Sequence, residues 1–186
     1  MLLKYNVMDF YKQILGIMYN EVINRTDCLK GKSIGSFIDM LMEDNYPHFY
    51  LLLNQMEECV HGLRNDCDVD ILASSLKKVY MEFDEMYRKE KLVLFPYLVK
   101  LDRESKKAES CAPFKNTKQN YIAIIRNLDL ALESAKNIFI NEFNRSCVEI
   151  LLTYISDLRH EMLDIQVIKD CEYYIKFKNC AGCKTL

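Results

Sequence analysis

Tryptophan is absent from this sequence, histidine and proline occur three times each, and only five glycines are spread over 186 residues. So few breakers leave little room for the frequent tight turns of a sandwich or barrel. With half the residues hydrophobic, the balance favours a mostly helical chain with a sizeable core. No charge of one sign dominates: 25 basic residues stand against 27 acidic ones, for a net charge of −2. No basic stripe stands out, so nucleic acid is not an expected partner. No apolar run approaches the length that crosses a bilayer. The opening Met1-Leu2-Leu3-Lys4-Tyr5 lacks the basic, apolar and small-residue layout of a signal peptide, so cytoplasmic residence away from membranes is the expectation. There is no glycine-rich phosphate loop, no Gly-x-Ser-x-Gly and no His-Glu-x-x-His, and three histidines offer no base for a cysteine nucleophile. Nothing in the sequence calls for an enzyme.

What is plentiful is cysteine, methionine and tyrosine. The eight cysteines are Cys28, Cys59, Cys67, Cys111, Cys147, Cys171, Cys180 and Cys183. In a reducing compartment most are expected as thiols. Cys147 falls in a helical apolar pattern, where cysteine behaves as a small hydrophobe. Cys180-Ala181-Gly182-Cys183 is open to three readings: zinc binding with Cys171, a redox pair, or a frayed end with reactive thiols. Methionines and tyrosines at helical spacing read as core, with Tyr50 and Tyr154 as further hydrogen-bond donors.

Helical periodicity divides the chain. Phe10, Ile14, Met18 and Val22 mark an amphipathic helix ending near Arg25. Ser33 is placed to cap a short helix through Met42. Asn45-Tyr46-Pro47 reads as an interruption, with Pro47 in the first turn of a helix from His48 to about Val60. Gly62 to Asp70 is turn-rich. A long helix follows from Ile71 to Leu101, and Pro96 inside it is expected to kink it. The polar stretch Asp102 to Lys118 reads as a crossover. A further helix is predicted over about Gln119 to Ile140, and the last from near Asn144, as its cap, through Ile168 or beyond. The organisation predicted is an N-terminal helix and loop (1–34), an all-α up-and-down four-helix bundle (35–178) and a cysteine tail (179–186), the first helix packing outside the bundle.

The segment Arg88-Lys89-Glu90-Lys91-Leu92-Val93-Leu94-Phe95-Pro96-Tyr97 carries a helix into Leu-Phe-Pro with a glutamate six residues ahead of the proline. It resembles the second-helix signature of hemerythrin-like proteins, in particular the bacterial di-iron proteins linked to repair of iron–sulfur centres. In that family the pattern is His-x-x-x-Glu before Leu-Phe-Pro, and both residues ligate iron; here Glu90 is present and Met86 stands at the histidine position. The run His160-Glu161-Met162-Leu163-Asp164 is similar to the fourth-helix His-x-x-x-Glu, with aspartate for glutamate. His48-Phe49-Tyr50-Leu51 is similar to the first-helix His-x-Tyr-aliphatic. The Ala-Pro-Phe turn before the third helix is matched by Ala112-Pro113-Phe114. The family's histidine count from it lands on Leu128, beside Asp129.

The resemblance implies a hemerythrin-like fold over about Gly35 to Ile168 and a metal held by His48, Glu90, His160 and Asp164. Two histidines and two carboxylates suit one hard or borderline ion, iron first, better than a conventional di-iron pair. It further implies a role in oxygen, nitric oxide or iron-stress response. Each residue has a plainer reading too. His160 with Asp164 is also a surface i,i+4 pair, His48 also a first-turn helix residue, and Glu90 also part of a solvated face with Arg88, Lys89 and Lys91. The rival at the level of function is a metal-free bundle kept as a regulatory or interaction module, with a second copy or another protein as partner. A thiol sensor built on Cys180 and Cys183 is the third reading.

Overall fold

The computed structural model of the protein describes residues 33–63, 67–104, 112–141 and 144–177. The helix expected before Arg25 and the cysteine tail lie outside them. The described residues are helical and contain no strand, in six α-helices: α1 (Ile34–Met40), α2 (Tyr46–His61), α3 (Cys67–Lys89), α4 (Phe95–Arg103), α5 (Ala112–Asn137) and α6 (Arg145–Phe177). Two π turns, Leu41–Asn45 and Glu90–Leu94, join α1 to α2 and α3 to α4 without a break. The six helices are thus four rods. Ser33 caps the first as expected, its Oγ accepting from the Ser36 N–H at 3.1 Å.

The π turns correct one expectation. Asn45-Tyr46-Pro47 does not interrupt the chain; the helix runs through it. A proline in a helix has no N–H to give and presses its ring on the carbonyl four residues back. For Pro47 and Pro96 those carbonyls belong to Glu43 and Leu92, each inside a π turn. There the hydrogen bonds reach one residue further, Tyr46 N–H to Leu41 O and Phe95 N–H to Glu90 O, and the wider turn takes up the proline. The crossover is also shorter than its polarity suggests, because α4 reaches Arg103 and α5 already starts at Ala112.

The rods close into a ring: α3 packs most widely on α5, α5 on α6, α6 on α2, and α2 on α3. Their inward residues alternate in steps of three and four, the seam of left-handed helix packing. On α6 the stripe is Val148, Leu151, Ile155, Leu158, Met162 and Ile165; on α5 it is Phe114, Thr117, Tyr121, Ile124, Leu128, Ala131 and Ala135. On α3 it is Val69, Leu72, Leu76, Val79, Phe83 and Met86, and all of these side chains are buried. Among the described residues no helix is long and apolar enough to cross a membrane.

Candidate functional site

Follow each stripe one step further and it meets a polar residue. After Met86 comes Glu90, after Ile165 comes Lys169, the α5 stripe passes through Tyr121, and α2 begins its own at Tyr46. Glu90 is fully buried, and Lys169, Tyr46 and Tyr121 are 1%, 1% and 2% exposed. One residue from each rod thus enters a single polar layer of the core, where Lys169 touches the other three.

Lys169 is its hub. Its ammonium donates to both carboxylate oxygens of Glu90, at 2.8 Å to Oε1 and 2.7 Å to Oε2, to the Tyr46 hydroxyl at 2.6 Å, and to the Tyr121 hydroxyl. Tyr46 in turn donates its own proton to Glu90 Oε2. The Nζ also lies 4.6 Å from the Tyr121 ring centre and 5.1 Å from that of Tyr46. An isolated buried ammonium or carboxylate is costly, by several kcal/mol even after relaxation; here each charge answers the other and every ammonium proton has an oxygen within reach. Edge-on contacts with Phe83 and Tyr87, both at 5.6 Å between ring centres, fix the Tyr46 ring and so aim its hydroxyl.

A second set of polar ties surrounds the layer. Asn120, next to Tyr121 and itself buried, donates to Glu82 at 2.7 Å and accepts from Lys89 at 2.9 Å, joining α5 to α3. Lys89 also pairs with Glu85 at 2.7 Å, and this hydrogen bond holds the Glu85 carboxyl below its usual range. On the other side Tyr50 donates to Asp84 at 3.2 Å, and burial, with Asp84 adding to it, pushes the Tyr50 hydroxyl well above the ordinary tyrosine value.

The four expected ligands are not gathered. Glu90 is neither on a solvated face nor open to an ion, since Lys169 lies on both of its oxygens. His48 is 47% exposed and lies 3.3 Å from Glu161 of α6. His160 is on the exposed side of α6, its Nδ1 3.5 Å from Ser156 Oγ, and Asp164 is half-buried. Asp129, the neighbour of the third-helix position, pairs with Arg159 at 2.6 Å. Among the described residues no three of His, Cys, Asp and Glu come together as a metal would need. As placed, these residues do not fit an ion: the one buried carboxylate already has a cation, and both imidazoles face solvent.

Sequence reasoning that looks for ligand residue types passes over Lys169, Tyr46 and Tyr121. The signal that finds them is register: Lys169 continues the three–four stripe of α6, whereas His160 and Asp164 stand beside it. Comparison of the chain with protein-family models, with curated proteins and with solved structures gives no match.

Proposed function

We propose that the protein is a metal-free four-helix bundle of the hemerythrin-like kind, in which the Lys169 ammonium takes the central place that a metal ion has in that family. In this reading it works as a regulatory or interaction module and not as an enzyme. One observation carries it: the carboxylate that best matches the family signature, Glu90, is held on both oxygens by Lys169 and on one by Tyr46. A fixed cation of this kind supplies the charge compensation of a metal without its exchangeable coordination positions, so no oxygen or nitric oxide chemistry follows from it. A polar layer inside an apolar seam fixes which residues face which, because any slip of one rod strands a charge.

The outer surface supports contact with other proteins. Leu92 and Val93 in the second π turn are 71% and 52% exposed, and Phe139 is 78% exposed. A groove of about 450 Å³ between α2 and α3 is lined by Leu53, Val60, Ala73, Leu76 and Tyr80, with Glu57 and Lys77 at its rim.

The test is the metal content of the chain purified without oxygen from iron-supplemented cells. The expected result is far less than one metal per chain, with helicity unchanged by a strong chelator. One or two irons per chain would restore the ligand set His48, Glu90, His160 and Asp164 and overturn the metal-free reading.

A further inference from the structure

The sequence gives no reason to connect Cys59 with Cys147, which are 88 residues apart. The fold brings them together. Cys59 lies in the last turn of α2 and Cys147 in the first turn of α6, where these two helices pack. The Cys147 thiol donates to the backbone carbonyl of Cys59 at 3.1 Å. Both are free and half-buried: close enough to solvent for a small oxidant, and held by neighbours on both helices. A Sγ in contact with the backbone of the other cysteine brings the two side chains into one neighbourhood, the first requirement for a disulfide between them.

We propose that Cys59 and Cys147 form a reversible disulfide on exposure to a peroxide, clipping α2 to α6. Two thiols supply two electrons and the O–O bond of hydrogen peroxide takes them. The Cys147 thiolate attacks one peroxide oxygen, the O–O bond breaks, and hydroxide leaves, which a proton converts to water; Cys147 is now a sulfenic acid. The Cys59 sulfur attacks the Cys147 sulfur, the S–O bond breaks, and a second water leaves as the Cys59 proton is taken up. In sum, two thiols and one hydrogen peroxide give one disulfide and two waters. Burial, with Cys147 beside it, pushes the Cys59 thiol up, which suits it to enter second. This device goes beyond the metal-free reading and does not depend on it.

The test treats the full folded chain with hydrogen peroxide, blocks remaining thiols with an alkylating agent, and maps peptides without reduction. A peptide pair joined through Cys59 and Cys147 is expected, lost on treatment with dithiothreitol and absent in Cys147→Ser and in Cys59→Ser. The oxidised chain is expected to unfold at higher urea than the reduced chain, and Cys147→Ser to show no such increase. Circular dichroism of each serine variant, matching the parent before oxidation, excludes misfolding as the cause of a missing link. Separate alkylation of both thiols, overoxidation of Cys147 without a link, or pairing of Cys147 with another cysteine would each overturn the proposal.

Discussion

Two polar groups on α6 and its neighbours, about two and a half turns apart, have opposite fates. Lys169 is sealed among Glu90, Tyr46 and Tyr121, while His160 and the His48–Glu161 contact stand at the surface. In residue type the surface group is the better metal site, for imidazoles and carboxylates are ligands and an ammonium is not. In position the reverse holds. What separates them is the step of the helix: Met162, Ile165 and Lys169 share one line, and His160 and Asp164 fall to its side. Register decides the environment, and the environment decides what a carboxylate such as Glu90 can do.

The contrast is broken most severely by removing one charge of the buried pair. Lys169→Met leaves the Glu90 carboxylate without its cation in the core, and a loss of about 3–5 kcal/mol is expected in urea unfolding. Tyr121→Phe deletes a single acceptor of the ammonium and should cost about 1–3 kcal/mol, with the helical spectrum retained. A smaller effect is expected at alkaline pH through Tyr50. Its folded-state value is raised, so the folded chain holds that proton more tightly than the unfolded chain. The stability this contributes is full below the ordinary tyrosine value of about 10 and falls as pH rises past it. Tyr50→Phe should flatten that part of a stability–pH curve. At the surface, His48→Ala and His160→Ala should each shift stability by no more than about 0.5 kcal/mol, and a loss above 2 kcal/mol at either would erase the contrast.

Much of this fold is readable from the residues. Helical spacing places helices over about 48–60, 71–101, 119–140 and from 144 onward, close to where the rods run, and Ser33 announces its cap. The continuity of the first rod is not readable in the same way. Tyr46-Pro47 is a breaker by local rules, and only a widened turn, held in place by packing, carries the helix past it. Glu90 shows the same limit from the other side. Its neighbours Arg88, Lys89 and Lys91 read locally as a solvated face, and Leu-Phe-Pro reads as a ligand context. Its partner is 79 residues away on another rod, so neither local pattern contains it. The one trace of that partner is a lysine sitting where the stripe of α6 calls for an apolar residue.

The central claim is that Glu90 and Lys169 are one buried unit, and a double-mutant cycle on unfolding free energy tests it most directly. Glu90→Leu and Lys169→Met are each expected to cost about 3–5 kcal/mol, while the double variant, with no charge left in the layer, should recover at least about 2 kcal/mol of the summed loss. Single losses below about 1 kcal/mol that simply add would mean that the two side chains do not meet in the core, and would contradict the claim.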